Sequence, residues 1–82
     1  MITVTVILFA SAKDIAGTSD LKLSLENGAH AGAVIDTLAA MFPRFAEWKT
    51  SLRIAVNQEY VGSDRRLSHN DEIAIISPVS GG

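Results

Sequence analysis

Cysteine is absent from all 82 residues, which excludes disulfides, thiolate metal sites and a cysteine nucleophile on this chain. No run of residues approaches the roughly 20 apolar residues that a membrane span needs. The amino terminus also lacks the basic segment and apolar region of a signal peptide, so we expect a soluble, cytoplasmic protein. The formal net charge of −2 and the lack of a basic-aromatic patch disfavour nucleic acid as a partner.

Patterns that would indicate catalysis or metal binding are also missing. His30 and His69 lie far apart in the sequence, with neither helical pairing nor a cysteine nearby, which disfavours a metal site. The aspartates are scattered and no serine has a histidine at a suggestive position, so no catalytic triad is indicated. Apolar residues make up 48% of the chain and charged residues 20%, as in globular domains. The body of the chain therefore predicts one folded domain without an active site.

The end of the sequence is different. Residues 73–76 form an apolar, mostly β-branched run that predicts a strand inside a sheet. Pro78 lacks an amide donor and the glycines Gly81 and Gly82 are costly to order, so the strand cannot continue through them. A frayed end is one interpretation. The interpretation we favour is that the carboxylate of Gly82 is the functional group, because no side chain would hinder a narrow passage closing around it.

Alternation and helical spacing predict the other elements. Strands are expected at residues 2–10, 21–25, 53–57 and 72–76, with a turn at 58–59, a short return at 60–61 and a polar edge at 63–67. Residues 11–17 are expected to connect the first two strands through one helical turn that Gly17 closes. A main helix is predicted by the apolar stripe Ala31, Val34, Ile35, Leu38, Met41 and Phe42. A second, short helix is predicted at residues 44–50.

This order of elements predicts a β-grasp, ubiquitin-like fold of the α+β class. We expect a four- to five-stranded mixed sheet with one main helix packed on one face. The first and last strands should be parallel neighbours in the middle of the sheet, because they carry the most continuous apolar runs. The domain is predicted to span residues 1–76, and residues 77–82 are predicted to form a flexible Gly-Gly tail.

Three segments form a specific combination: Val-Asn-Gln at residues 56–58, Asp-Glu-Ile at 71–73 and Pro-Val-Ser-Gly-Gly at 78–82. With the strand end at residues 7–10 and the helix leading to Phe42 and Pro43, they resemble the small subunit of molybdopterin synthase over nearly the whole chain. The sequence departs from that family at Ser77, where a proline is common, and at residues 69–70, where a glycine-containing turn is usual. Neither departure touches the reacting group.

The resemblance implies a sulfur carrier and not a catalyst. In that family an ATP-dependent, ubiquitin-activating-like adenylyltransferase, which uses Mg²⁺, converts the terminal carboxylate to an acyl-adenylate; here this carboxylate is that of Gly82. A sulfur donor enzyme then yields a thiocarboxylate. The large, catalytic synthase subunit takes up the tail and transfers its sulfur to cyclic pyranopterin monophosphate. The resemblance implies no cofactor, no nucleic acid and no membrane bound by this chain.

The tail and a docking face follow from the same resemblance. Residues Pro78, Val79, Ser80 and Gly81 are expected to thread the tail into the partner, with Pro78 limiting the entropy lost on docking. The docking face should be apolar and next to the tail. Its candidates are Phe9, Ile76 and Val79, with the rim charges Lys13 and Arg65. Each of these residues could equally be core or solvated surface.

Two alternatives remain open. In the first, the terminal carboxylate is activated in the same way but serves a different acceptor. Sulfur carriers for thiazole synthesis, ubiquitin-like sulfur carriers and ubiquitin-like modifiers also end in Gly-Gly. The second is a β-grasp protein-interaction module with an incidental tail, which would tolerate a residue added after Gly82.

Overall fold

The computed structural model describes residues 1–48 and 52–76. In these ranges the elements follow the order β1 (Ile2–Phe9), α1 (Ala10–Ala16), β2 (Asp20–Leu25), α2 (Ala31–Met41), a 3₁₀ helix (Pro43–Trp48), β3 (Arg53–Val56), β4 (Glu59–Val61) and β5 (Glu72–Ile76). The predicted order of strands around one main helix is confirmed. The predicted tail, residues 77–82, lies outside the described residues.

The five strands form one mixed sheet in the order β2-β1-β5-β3-β4. β1 and β5 are parallel, and the other neighbours are antiparallel. The expectation that the first and last strands pair in parallel inside the sheet is therefore confirmed. β5 is the middle strand, with a neighbour on each side. The α+β, β-grasp architecture is the one that the order of elements predicted.

The core lies between one face of the sheet and α2. Side chains alternate across a strand, and the buried residues of β1 are Ile2, Val4, Val6 and Leu8. The other strands add Leu23, Leu25, Ile54, Val56, Ile73 and Ile75, and α2 adds Ala31, Val34, Ile35 and Leu38. The predicted burial of Leu38 is confirmed, because its side chain is fully enclosed. Burying one such side chain contributes about 1.5–3 kcal/mol.

The apolar stripe of α2 is shorter than the spacing predicts. Met41 is 49% exposed, so its place in the buried stripe was wrong, and Phe42 is half-buried just beyond the helix end. The chain turns away there because Pro43 cannot continue an α-helix after Phe42. Phe45 of the 3₁₀ helix is fully buried, with its ring centroid 6.0 Å from that of Phe42. Phe45 therefore extends the core beyond the end of α2.

Two connections differ from their predictions. The β3–β4 turn falls at Asn57 and Gln58, one residue earlier than expected, because both residues adopt positive φ (50° and 73°). Such values match a tight two-residue hairpin. Residues 63–67 are not an edge strand. Their one bridge joins Arg66 to His30, and Leu67 is buried in the core.

The connection after β1 is a seven-residue helix, longer than the single turn expected. It ends where predicted, at Gly17. Gly17 has φ 74°, and its N–H donates to the carbonyl of Lys13 at 2.9 Å. Glycine is the usual residue in the left-handed conformation at a helix end, because a residue with a side chain is strained in that conformation.

Candidate functional site: the sheet face at the end of β5

The described chain reaches Ile76 at the end of β5, and the predicted reactive residue lies beyond it. Gly82 and the tail residues Pro78, Val79, Ser80 and Gly81 are outside the described residues, so their roles stay predictions. The register fixes the surroundings of Ile76. Phe9 of β1 pairs with it on one side, and Arg53 of β3 pairs with it on the other.

These three residues lie on the sheet face that α2 does not cover. Leu8 and Ile75 point into the core, with exposures of 2% and 0%. Their neighbours Phe9 and Ile76 must point to the opposite face, because side chains alternate along a strand. Phe9 is 49% exposed and Ile76 is half-buried. The structure therefore places Phe9 on the surface beside the end of β5, outside the core.

A second row of uncharged residues crosses the same face two residues before Phe9 along β1 and two residues before Ile76 along β5. Ala74 of β5 pairs with Ile7 of β1 and with Ala55 of β3, and Ala55 pairs in turn with Tyr60 of β4. Tyr60 is 67% exposed. We call the uncharged residues of these strands in the two rows the exit patch: Ile7, Phe9, Ala55, Tyr60, Ala74 and Ile76. Exposed aromatic residues next to aliphatic ones are typical of protein-binding surfaces.

The open face becomes polar away from the end of β5. In the next row Thr5 pairs with Lys22 on one side and with Glu72 on the other. Thr3 and Ser24 pair in the row after that. The apolar part of this face is thus confined to the half nearest Ile76.

The two predicted rim charges are in different places. Lys13 of α1 is exposed and lines a shallow depression of about 420 Å³ together with Phe9 and Asp20, so it borders the exit patch. Arg65 does not. Its Nη1 lies 3.3 Å from Oε1 of Glu59, and Glu59 pairs with Val56 at the far end of β3.

Arg65 therefore lies away from the exit patch, and its predicted role as a rim charge stays a prediction. The separation between Val56 and the start of β3 is three residues, or about 10 Å along a strand. The Arg65 carbonyl accepts a hydrogen bond from the Ala31 N–H at 2.7 Å, which holds that loop against the start of α2. The charged residue beside Ile76 is Arg53.

A cluster of hydrogen bonds fixes the opposite end of β5. Asn57 Nδ2 donates to Asp71 Oδ1 at 3.0 Å, and Asn57 Oδ1 accepts from the Glu72 N–H at 2.9 Å. The Asn57 N–H donates to the Glu72 carbonyl at 2.8 Å, and Asp71 Oδ2 accepts from the Ser68 N–H at 2.7 Å. We call these four bonds the hairpin latch. They hold the β3–β4 hairpin, and with it Tyr60, in register with β5.

The hairpin latch also explains two of the segments that carried the family resemblance. Val-Asn-Gln supplies the turn and its amide, and Asp-Glu-Ile supplies the carboxylate and the backbone groups that the amide binds. These segments therefore shape the fold, and they carry no reacting group.

Neither histidine is part of a metal cluster. His69 Nδ1 accepts a hydrogen bond from the Thr3 N–H at 3.0 Å, and His30 precedes the first turn of α2. Within residues 1–48 and 52–76, no group of three or more His, Cys, Asp or Glu side chains could hold a metal ion. No helix in the same ranges is long and apolar enough to cross a membrane.

The sequence of this chain is similar to those of known proteins. The model of the ThiS family matches residues 6–82. The molybdopterin synthase sulfur carrier subunit of Arabidopsis thaliana is 36% identical over 81 residues, covering 99% of this chain and 84% of that protein.

Two solved structures are similar over the whole fold. The putative molybdopterin converting factor, subunit 1, of Pyrococcus furiosus has a TM-score of 0.87 at 26% identity, covering 96% of this chain and all of that one. The small archaeal modifier protein 1 of Methanosarcina acetivorans has a TM-score of 0.80 at 29% identity, covering 100% of this chain and 98% of that one.

Proposed function

This chain belongs to the ThiS family, and from that membership we propose that it is the sulfur carrier subunit of molybdopterin synthase, acting in the cytoplasm. The observation that carries the proposal is its similarity to curated sulfur carrier subunits. That similarity extends over 99% of this chain at 36% identity. The family match runs to residue 82, so it includes the Gly-Gly pair on which the chemistry depends.

In this proposal the reacting group is the carboxylate of Gly82. A carboxylate is a poor electrophile until one of its oxygens becomes a leaving group. An adenylyltransferase binds ATP and Mg²⁺. On this enzyme the Gly82 carboxylate attacks ATP, the acyl-adenylate forms and pyrophosphate leaves. A sulfur donor then displaces AMP, which leaves a thiocarboxylate on Gly82. The thiocarboxylate sulfur is a nucleophile at neutral pH, so the reaction needs no catalytic side chain from this chain. We also propose that this chain binds no cofactor.

The reach of the tail supports a contact at the exit patch. Six residues follow Ile76 and span at most about 20–22 Å when fully extended. A partner whose active site receives Gly82 must therefore bring that site within this distance of Ile76. We propose that the large, catalytic subunit docks there, against Phe9, Ile76 and Tyr60. Glycine at the last two positions suits a narrow passage because it has no side chain.

Intact-mass measurement tests the proposal directly. The purified chain is incubated with the adenylyltransferase and sulfur donor of its own organism, with ATP and Mg²⁺. The expected product is heavier by one oxygen-to-sulfur exchange, localised to the peptide that ends at Gly82. Addition of the large subunit and cyclic pyranopterin monophosphate should then yield molybdopterin and return the carrier to its original mass. A chain that is loaded but yields no molybdopterin would be a carrier for another client.

A ubiquitin-like modifier is the second candidate, favoured by the 29% identity with the small archaeal modifier protein 1. A modifier uses the same acyl-adenylate, but a lysine amine attacks it and an isopeptide bond forms. Denaturing gels and mass spectrometry of cell extract would then show Gly82 linked to lysine side chains of other proteins. A thiazole-synthesis carrier would instead be loaded with sulfur and unloaded by a thiazole synthase.

A further inference from the structure

Arg53 has a position that the family resemblance does not account for. It is the first residue of β3 and pairs directly with Ile76, so the two side chains share the open face with their Cβ atoms about 4.5–5.5 Å apart. Its side chain is exposed. Within the described parts of the chain it has no ion-pair partner, whereas Arg65 is paired with Glu59.

Among the described residues of the open face, no acidic side chain shares the row of Arg53, although Asp36 of α2 lines a depression together with Arg53. The row that runs across three strands reads Phe9, Ile76, Arg53, which is two apolar side chains and one cation. The acidic residues of the same face are in other rows. Glu72 lies four residues away along β5, or about 13 Å. Asp20 pairs with Ile7, on the far side of β1.

Docking of a partner at the exit patch would remove water from Arg53. A guanidinium that loses its water without gaining an acceptor is strongly unfavourable. A carboxylate is the matching acceptor, because its two oxygens fit the fork of the guanidinium in a bidentate pair. The apolar half of the row supplies contact area, and the charged half distinguishes one partner surface from another.

We propose that Arg53 is the specificity-determining charge of this docking face, and that the large subunit presents an aspartate or glutamate carboxylate to it. This inference rests on the proposed function, because it takes the large subunit of molybdopterin synthase as the partner. Arg53 lies on the β3 side of the exit patch, so the matching partner surface is apolar at its centre and acidic at its edge towards β3.

The test measures the affinity of the purified carrier for the large subunit of the same organism. Arg53→Glu should lower that affinity by about 30-fold or more, since the loss of a desolvated charge pair has effects of this size. The matched control is Arg66→Glu, which makes the same charge change near the start of α2. It should stay within about threefold of the native chain, because Arg66 lies at the isolated bridge with His30. Arg53→Gln should fall between these two.

A charge swap then identifies the acidic residue. Each acidic residue on the large subunit is changed to lysine, and one such change should restore binding of Arg53→Glu while weakening the native carrier. Circular dichroism and thermal melting of Arg53→Glu and Arg53→Gln establish that the exposed position tolerates the change.

The outcomes separate the inference from the proposed function. If the native chain binds and Arg53→Glu stays within about threefold, or if Arg66→Glu loses as much affinity, Arg53 is not the selecting charge and the carrier function stands. If no charge swap restores binding, the inference is also overturned. A native chain that binds no large subunit and accepts no sulfur overturns both.

Discussion

The two ends of β5 are built on opposite principles. At its start the hairpin latch holds Asn57, Asp71 and Glu72 together by hydrogen bonds, all of them within the chain. At its end Ile76 lies between an exposed phenylalanine and an arginine that has no partner in the described chain. One end satisfies its polar groups internally, and the other leaves apolar and charged groups to solvent. The difference separates the part of the strand that fixes the register from the part that is available to another molecule.

The change with the largest expected effect lies beyond the open end. Deleting Gly82, or adding one alanine after it, should abolish sulfur loading and molybdopterin formation. Deletion draws the reacting carbon back by about 3.3–3.6 Å, and misplacement by 1 Å can cost about a hundredfold in rate. Thermal melting should be unchanged, because no core residue is altered. Loading of either variant near the native rate, followed by mass, would show that the terminal carboxylate is not the working group.

The next largest effect is on stability, at the covered face of the sheet. Leu38→Ala should lower the free energy of unfolding by roughly 2–5 kcal/mol, the sum of lost transfer energy and the cavity that remains. Denaturant unfolding measures it, and Ala40→Gly on the exposed side of α2 is the control, with an expected cost of about 1 kcal/mol from helix propensity alone. A loss at Leu38 no greater than that of the control would contradict its burial against the sheet.

The substitution Phe9→Lys tests the surface at the end of β5. Affinity for the large subunit should fall by about tenfold or more, as for an aromatic residue within an interface, while stability changes by about 0.5 kcal/mol or less. Met41→Lys is the matched control, because Met41 has the same 49% exposure as Phe9 and lies at the end of α2. Equal losses of affinity in both variants would mean that the surface responds to added charge in general.

The smallest expected effect is at the latched end. Asn57→Gly keeps a residue that accepts positive φ and removes the two side-chain hydrogen bonds, so stability should fall by roughly 1 kcal/mol. Gln58→Gly, at φ 73°, is the control and should be neutral or slightly stabilising. Binding to the large subunit should be almost unchanged in both. A loss of binding in Asn57→Gly at native stability would show that the two ends of β5 are coupled.

The sequence predicted the fold well because the signals of the core are local. The continuous apolar runs of the first and last strands predicted a parallel central pair, and the spacing of Val34, Ile35 and Leu38 predicted the buried side of the helix. The same spacing predicted that Met41 lies in the core. Met41 is exposed, because Pro43 ends the helix and turns the chain. Periodicity describes a regular helix and does not report where tertiary contacts end.

The neighbours of Ile76 on the sheet were harder to predict because they depend on register. Arg53 and Ile76 are 23 positions apart in the sequence, and only the pairing of β3 with β5 makes them neighbours. Tyr60 joins the patch through the one-residue difference in the position of the hairpin turn. The position of Arg65 was not predictable from the sequence, because the loop that carries it is held by backbone contacts with α2, which no local pattern encodes. The predicted roles of the tail residues stay predictions, since those residues lie outside the described ranges.

The central position of β5 has a consequence for synthesis on the ribosome. Without β5 the sheet is two separate hairpin-like pairs, β1 with β2 and β3 with β4, and neither can bury a face of its own. The strand that joins them is translated after all the others, so the sheet closes when residue 76 has left the ribosome. A nascent chain therefore has neither a finished core nor an exit patch. Under the proposed docking, a partner would meet only chains whose synthesis has passed that point.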